Sequence, residues 1–218
     1  MSGFDPRAVA ICGIVLAGGR SSRFGRDKLA QPVGGEPLLW RPIRALATIC
    51  AEVVVVLAPD VPEPALPVGL AASIRFARDP EPFGGPLVGL QAGLVAVGAA
   101  ASESAQPVAA IALVVGGDQP ALVPAVLVEL ARRARANGRA AALEDASARR
   151  RPLPCALGVT PGLAAAGRLL SAGERRPRAL LAALDVEDIP FAEWGRLDPD
   201  GGTLRDVDEP ADLVGRAD

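Results

Sequence analysis

The sequence contains no histidine and no tyrosine, and aromatic residues make up only 3% of its 218 residues. Nucleophilic mechanisms that depend on a histidine base are therefore excluded, and Ser21 and Ser22 have no such base to activate them. The low aromatic content means that a hydrophobic core must consist of Ala, Val and Leu. Since 50% of the residues are hydrophobic, the chain can still bury a sizeable core, and we expect one α/β domain over residues 1–218.

Cysteine is scarce as well. Cys12, Cys50 and Cys155 are isolated from one another, with no CxxC spacing and no histidine to complete a metal-binding set. A disulfide framework and a structural zinc site are therefore not expected. Isolated thiols of this kind are typical of a reducing compartment, and we expect a cytoplasmic location.

The chain also lacks an excess of positive charge. Its formal net charge is −2 and its pI is about 5.4, whereas nucleic-acid binding requires a broad positive field. Neither a nucleic acid nor an anionic membrane is therefore an expected partner. No apolar run reaches the ~20 residues that are needed to span a bilayer.

What the sequence does contain is a repeated alternation of short apolar runs and helical stretches. The predicted strands are residues 9–16, 52–58, 73–77, 108–115 and 154–159, and the predicted helices are residues 38–50, 87–97 and 122–137. Continuous apolar strands that alternate with helices are typical of an α/β fold with a mostly parallel sheet, covered on both faces. Such sheets bind their ligands at the carboxyl ends of the strands.

Three stretches between these elements are predicted to be surface loops. They are residues 59–69 (PDVPEPALPVG), 146–154 (ASARRRPLP) and 195–204 (GRLDPDGGTL). The second contains Arg149, Arg150 and Arg151, which either hold the phosphate of an acceptor or form a solvated loop, as runs of charge usually do.

The segment IVLAGGRSSRFGRDKLA, residues 14–30, places two glycines directly after the first predicted strand. It is not a Walker A loop, because Lys28 is preceded by Asp27 and followed by Leu29. It is not a dinucleotide fingerprint either, because its glycine spacing does not match GxGxxG. A different anion-binding loop remains, and its parts suit a polyphosphate.

In that interpretation Gly18 and Gly19 let successive backbone N–H groups face an anion, and Arg20, Arg23 and Lys28 add positive charge. An ordinary glycine turn with solvated charges is the alternative. Lys28 is the only lysine of the chain, since the other basic residues are all arginine. A lysine is a compact point charge on a flexible stem, which suits phosphate oxygens whose charge changes during a reaction.

A second pair of glycines precedes Asp118 in ALVVGGDQP, at the end of a strongly apolar strand. A carboxylate in this position can hold Mg²⁺, which usually takes one or two carboxylates together with substrate phosphates. Asp118 can also cap the helix that follows Pro120. The two roles are compatible.

Five blocks of the sequence together resemble a known family. They are LAGGRSSRFGRDK, RDPEPFGGPLVGLQAGL, GGDQPALVP, SAGERRPRALLAAL and DVDEPADL. Their order is similar to that in molybdenum cofactor guanylyltransferases and related nucleotidyltransferases. The resemblance implies a Rossmann-like, three-layer α/β/α domain that transfers GMP from GTP to the phosphate of a molybdopterin-type acceptor and releases pyrophosphate. It also implies Mg²⁺ as cofactor and transient contact with a molybdoenzyme or a cofactor chaperone.

The resemblance also assigns residues of this chain to roles. The first block implies nucleotide contacts from the strand end and the glycine loop, namely Leu16, Ala17, Gly18, Gly19 and Arg20. It further implies that Lys28 contacts the phosphates, that Asp79 contacts the nucleoside, and that Asp118 and Asp208 bind the metal. Lys28, Arg23 and Asp118 are the expected catalytic residues, and SAGERRPRALL is expected to line the acceptor side.

The chain departs from the family in two places. Relatives often carry an asparagine after the second strand, where this chain has the sequence VVVVLAPD. The single asparagine of this chain, Asn137, is far from that position in the sequence. GGDQP also replaces the commoner form that contains a cysteine. The LAGG sequence favours guanine as the base. The alternatives are a cytidylyl- or other nucleotidyltransferase that acts on molybdopterin or another small phosphate, and a catalytically silent nucleotide-binding homologue.

Overall fold

A seven-stranded sheet forms the centre of the described part of the chain, which in this computed structural model comprises residues 11–18, 27–81, 84–103, 111–136, 138 and 140–213. The strand order is β5-β4-β1-β6-β8-β7-β9. These strands are β1 (Ile11–Leu16), β4 (Glu52–Leu57), β5 (Ser73–Arg78), β6 (Ile111–Gly116), β7 (Ala140–Glu144), β8 (Arg150–Gly158) and β9 (Val186–Ile189). A separate antiparallel pair consists of β2 (Pro32–Val33) and β3 (Glu36–Pro37).

The sheet is mostly parallel, as the sequence predicts. β1 pairs in parallel with β4 and β6, β4 pairs in parallel with β5, and β7 pairs in parallel with β9. Only β8 among these strands is antiparallel to its neighbours, β6 and β7. Its first residues therefore lie at the edge of the sheet where β6 ends.

Helices cover both faces of the sheet, which confirms the three-layer α/β/α expectation. They are α1 (Trp40–Ala47), α2 (Pro86–Glu103), α3 (Pro124–Ala136), α4 (Val159–Ser171), α5 (Pro177–Ala183) and the short α6 (Phe191–Trp194). One core contains buried side chains of α1, α3 and α6, and the other contains those of α2, α4 and α5. No described helix is long and apolar enough to cross a membrane.

The alternation of side chains along β1 explains why both faces are apolar. Ile11 and Val15 lie in the core beneath α1 and α3, whereas Cys12 and Ile14 lie in the core beneath α2. Successive strand residues point to opposite faces, so a strand that is covered on both sides must be apolar throughout. This is the pattern from which the strand was predicted.

Helix α2 packs closely on the sheet because it carries a glycine at the point of contact. A β-carbon at Gly93 would lie 2.7 Å from Cγ2 of Ile14 and 3.0 Å from Cγ2 of Val56. A longer side chain at this position would therefore push the helix away from the strands. Gly98, further along the same helix, has ordinary space, with Cδ1 of Leu163 at 3.5 Å.

The structure corrects several sequence-based boundaries. The stretch predicted as a loop over residues 146–154 becomes strand β8 from Arg150 onwards. The helix predicted over 38–50 comprises only Trp40–Ala47, and the one predicted over 87–97 extends over Pro86–Glu103. The structure also contains elements that were not predicted, namely the strands β2, β3, β7 and β9 and the helices α4, α5 and α6.

Candidate active site

The carboxyl end of β1 carries the predicted nucleotide-binding residues Leu16, Ala17 and Gly18. The carbonyl oxygen of Leu16 accepts a hydrogen bond from the N–H of Gly117 at 2.9 Å, and the N–H of Ala17 donates to the carbonyl oxygen of Val56 at 2.8 Å. The ends of three adjacent parallel strands are thus joined at this edge. Gly19, Arg20 and Arg23 lie outside the described residues.

Lys28 lies against both predicted metal ligands. Its Nζ is 2.9 Å from Oδ2 of Asp118 and 3.9 Å from Oδ1 of Asp208, and only 12% of its side chain is exposed. A local turn fixes its position, because the carboxylate of Asp27 accepts a hydrogen bond from the N–H of Leu29 at 3.0 Å. The structure therefore brings together three residues that are far apart in the sequence.

The glycines before Asp118 allow the turn after β6 to approach β1. A β-carbon at Gly117 would lie 3.0 Å from the carbonyl oxygen of Leu16, which is tighter than a side chain normally tolerates. The suggested capping role of Asp118 is not seen, because α3 begins only at Pro124. The N–H of Val123, just before that helix, donates instead to the hydroxyl of Thr203 at 3.1 Å.

A segment from late in the chain returns to Asp118. The N–H of Val207 donates to the carbonyl oxygen of Asp118 at 2.9 Å, and the Val207 side chain is buried against Val33 and Leu38. Because Val207 is held through both its backbone and its side chain, the residues on either side of it, Asp206 and Asp208, are held beside Asp118.

Buried polar groups support this returning segment. The carboxylate of Asp198 accepts hydrogen bonds from the N–H groups of Gly202 at 3.1 Å and Thr203 at 2.7 Å. Gln119 is 1% exposed and its side-chain oxygen accepts from the N–H of Gly116 at 2.8 Å. Buried polar groups that are fully hydrogen-bonded favour one arrangement, so this edge of the sheet has a defined geometry.

Asp206 is a member of the site that the sequence reasoning missed. Burial, together with the nearby charges of Asp118 and Asp208, raises the pKa of its carboxyl to about 6, although Arg151 and Lys28 oppose the shift. We call Asp118, Asp206 and Asp208 the carboxylate cluster. The DVD sequence that contains two of these residues was the available signal, but only its second aspartate was selected.

The cluster suits a divalent cation only with help from a ligand. Both Asp118 and Asp208 lie within 3.9 Å of one ammonium nitrogen, so their oxygens converge, and carboxylate oxygens are the ligands that Mg²⁺ prefers. Among the described residues, however, no group of three acidic, cysteine or histidine side chains forms a metal site by itself. The residues fit a cation whose remaining ligands come from substrate phosphates and water.

Asp79 occupies a different position. It is 8% exposed, follows the edge strand β5, and accepts a hydrogen bond from the N–H of Glu81 at 3.0 Å. Its other carboxylate oxygen faces Gly89 of α2, where a β-carbon would stand 3.6 Å away. No hydrogen bond or ion pair joins it to the carboxylate cluster among the described residues, and its predicted contact with the nucleoside stays a prediction.

The segment SAGERRPRALL forms the end of α4 and the start of α5. The Glu174 carboxylate accepts hydrogen bonds from the N–H groups of Arg175 and Arg176 and from the Arg176 guanidinium. The Arg176 guanidinium has the largest effect on the Glu174 carboxyl, and the two N–H groups add to it. Together they lower the pKa of Glu174 to about 2. The carbonyl oxygen of Arg175 accepts from the N–H of Leu87, which joins the segment to α2. Its predicted place beside the acceptor stays a prediction.

Comparison with known proteins gives a consistent assignment. Residues 13–188 match the family model described as the MobA-like NTP transferase domain. A probable molybdenum cofactor guanylyltransferase of Chloroflexus aggregans is 33% identical over 213 residues, which cover 95% of this chain and 94% of that protein. A protein of Mycobacterium bovis with the same description is 33% identical over 195 residues, covering 88% and 90%.

Solved structures show the same fold. Molybdopterin-guanine dinucleotide biosynthesis protein A of Archaeoglobus fulgidus superimposes with a TM-score of 0.69 at 18% identity, covering 93% of this chain and 94% of that one. The 4-diphosphocytidyl-2C-methyl-D-erythritol synthase of Anaerococcus prevotii gives a TM-score of 0.62 at 13% identity, covering 95% and 94%. The match to the family model and the identity to its relatives over nearly the whole chain show that this protein belongs to the MobA-like NTP transferases, a family of nucleotidyltransferases.

Proposed function

We propose that this protein is a molybdenum cofactor guanylyltransferase, which transfers GMP from GTP to the terminal phosphate of a molybdopterin-type acceptor and releases pyrophosphate. The observation that carries the proposal is the convergence of Lys28, Asp118 and Asp208 beside the end of β1. The names of the relatives that are 33% identical support the choice of guanine nucleotide and acceptor. We also propose a cytoplasmic location, because GTP is a diffusible substrate and the three cysteines are free thiols.

In this proposal the triphosphate lies over the strand ends that carry Leu16, Ala17 and Gly18. Lys28 exchanges its contact with Asp118 for contacts with phosphate oxygens when the nucleotide binds. The flexible lysine stem and the three donor directions of its ammonium group allow this exchange. Asp118 and Asp208 would hold Mg²⁺, and the bound cation would neutralise charge on the phosphates.

The reaction requires no nucleophile from the protein. An oxygen of the acceptor phosphate attacks the α-phosphorus of GTP, the bond from that phosphorus to the bridging oxygen of the β-phosphate breaks, and pyrophosphate departs with the electron pair. The attacking oxygen is already ionised at neutral pH, so no general base is required. Positioning and electrostatic stabilisation are then the main contributions of the protein, which is consistent with a chain that contains no histidine.

The test is a transfer assay with purified protein, Mg²⁺ and molybdenum-loaded molybdopterin, with GTP and CTP in parallel reactions. We expect pyrophosphate and a guanine dinucleotide product, identified by mass spectrometry, with GTP and little product with CTP. Preferential use of CTP would contradict the choice of GTP and identify a cytidylyltransferase. Binding of GTP without any release of pyrophosphate would identify a catalytically silent homologue.

A further inference from the structure

The three consecutive arginines at the start of β8 differ in what they contact. Arg149 is 75% exposed on its side chain and lies 3.2 Å from the carboxylate of Asp145 in the preceding turn. Arg150 is held by two hydrogen bonds to Asp188 on β9, at 2.5 and 2.6 Å. Both therefore have short ionic partners at the periphery of the sheet.

Arg151 has no such partner. Its guanidinium lies 3.9 Å from Asp145 and 3.7 Å from Asp206, distances that are too long for hydrogen bonds. This guanidinium donates no hydrogen bond to any described residue. Since 35% of the side chain is exposed, its planar set of N–H donors is available to an anion from solution.

The antiparallel pairing of β8 with β6 explains the position of Arg151. Ile111 pairs with Gly158 and Val114 pairs with Cys155. The same register, continued past the end of β6, brings Arg151 level with Asp118. Arg151 therefore lies at the ligand-binding edge of the sheet, next to the carboxylate cluster. Because it belongs to a strand and not to a loop, its position is fixed by the sheet.

The charges around the cluster assign the two cations to different tasks. Lys28 is within 3.9 Å of Asp118 and Asp208, and Arg151 is 3.7 Å from Asp206. If Lys28 contacts the triphosphate, Arg151 is the other cation that the described residues place beside the carboxylate cluster. A second phosphate that approaches GTP must overcome the repulsion between two anions, and a planar guanidinium binds phosphate through two parallel hydrogen bonds.

We propose that Arg151 binds the terminal phosphate of the acceptor and holds it next to the α-phosphate of the nucleotide. The inference rests on the proposed function, because it assumes an acceptor that carries a phosphate monoester. It assigns the acceptor contact to one of the three arginines and leaves Arg149 and Arg150 in structural or solvent-exposed roles.

The experiment measures equilibrium binding of molybdopterin to protein that is saturated with Mg²⁺ and a non-hydrolysable GTP analogue. We expect Arg151→Gln to weaken acceptor binding by about 10- to 100-fold, as for the loss of charge-assisted hydrogen bonds, and Arg151→Lys to weaken it less. Binding of the GTP analogue should stay unchanged. Arg150→Gln and Arg149→Gln remove the same charge from neighbouring positions and should leave acceptor binding unaltered.

A second measurement separates binding from an indirect effect through Asp206. Inorganic phosphate, used as a competitor for the acceptor, should inhibit transfer less in Arg151→Gln than in the original protein, at saturating GTP. The proposal is overturned if acceptor affinity is unchanged, or if the variant weakens the GTP analogue instead. It is also overturned if kcat falls while the acceptor KM and affinity stay the same, which would make Arg151 a positioning residue for Asp206.

The two proposals fail in different ways. Absence of transfer by the original protein would reject the proposed function, while the binding comparison would still decide the role of Arg151. Thermal melting of each variant identifies any loss of folding, and Arg151→Lys, which retains the charge and most of the length, keeps the comparison valid if Arg151→Gln does not fold.

Discussion

Lys28 combines two properties that bear on its role. It is the only lysine in a chain that otherwise uses arginine, and its ammonium group is largely buried between two carboxylates. An arginine could form the same ion pairs with a wider fork of donors. The choice of lysine therefore points to a partner that is exchanged, which in our proposal is the triphosphate.

We expect Lys28→Ala to reduce kcat/KM for GTP while leaving the fold intact. The loss of a charge-assisted hydrogen bond costs about 1.5–3 kcal/mol, or about 10- to 150-fold in kcat/KM. Steady-state kinetics with GTP as the varied substrate measure this effect. Lys28→Arg keeps the charge and should recover only part of the activity. Unchanged GTP use by Lys28→Ala, with normal thermal stability, would contradict a contact with the phosphates.

Asp118 and Asp208 are expected to differ in their response to the same substitution. Asp118→Asn should lower kcat by about 100-fold or more, because in our proposal this carboxylate binds the cation that stabilises charge on the reacting phosphates. Asp208 is 70% exposed on its side chain, and an amide oxygen can still coordinate a hard cation. Asp208→Asn should therefore lose less than about 10-fold and regain activity at higher Mg²⁺.

The measurement for this pair is kcat as a function of Mg²⁺ concentration. The control is Asp200→Asn, at an exposed aspartate in the turn between Asp198 and Gly202. Near-normal turnover of Asp118→Asn at limiting Mg²⁺ would leave Asp118 without a metal role.

Part of this site follows from the sequence and part does not. Lys28 and Asp118 were predicted, since each follows a glycine pair at the end of an apolar strand, and parallel strands bring such ends to one edge. Asp206 was not predicted, because its position depends on the return of residues 198–207. For Arg149, Arg150 and Arg151 the sequence left an acceptor site and a solvated loop both open, because their positions depend on the antiparallel direction of β8. Neither feature has a local signal, and both arise from tertiary contacts.

At the scale of single elements, α2 offers a test of close packing. Gly93→Ala introduces a β-carbon 2.7 Å from Ile14 and should lower the free energy of unfolding by about 1–3 kcal/mol. Gly98→Ala, in the same helix, meets only ordinary contacts with Leu163 and should raise it by about 0.5–1 kcal/mol, because alanine favours helix. Urea unfolding of the two variants measures both values, and a loss of equal size at both positions would contradict the packing argument.

The elements that were predicted share a strong local pattern. β1, β4 and β6 are continuous apolar runs, and each was predicted to within a few residues wherever the structure describes it. β7, with the sequence AAALE, reads equally well as helix, because alanine has the highest helix propensity. β9, with the sequence VEDI, carries two acids that form ion pairs with Arg133 and Arg150. The positions of β7 and β9 are fixed by their neighbours in the sheet. Helix α4 was missed for another reason, because Pro161 and two glycines interrupt its helical pattern.

At the scale of the whole molecule, the buried thiols predict a loss of stability in alkali. Burial raises the pKa of Cys12 to about 11 and that of Cys155 to about 12, and it raises the pKa of Cys50 further. In the unfolded chain these thiols ionise near their ordinary pKa of 9.0, whereas in the folded protein they stay protonated. Folding stability is therefore fully present below about pH 9 and declines as the pH rises through the folded values.

The expected decline is at most about 1.4 kcal/mol per pH unit for each thiol. The chain is well suited to this measurement, because it contains no tyrosine and only one lysine. Urea unfolding at a series of pH values measures it, and a variant with all three cysteines changed to alanine should show a flatter profile. Rapid reaction of the native thiols with a disulfide reagent at pH 8 would contradict their burial.

The hydrogen bond from Val207 to the carbonyl oxygen of Asp118 also bears on the order in which the protein becomes active during its synthesis. A ribosome makes β1, β4, β5 and β6 first, so the strand ends with Lys28 and Asp118 emerge long before residues 206–208. A nascent chain can therefore assemble the central strands while its site still lacks two of the three carboxylates. A translation product that stops before residue 206 contains every strand of the central sheet, and from the proposed roles we expect it to bind nucleotide without transferring it.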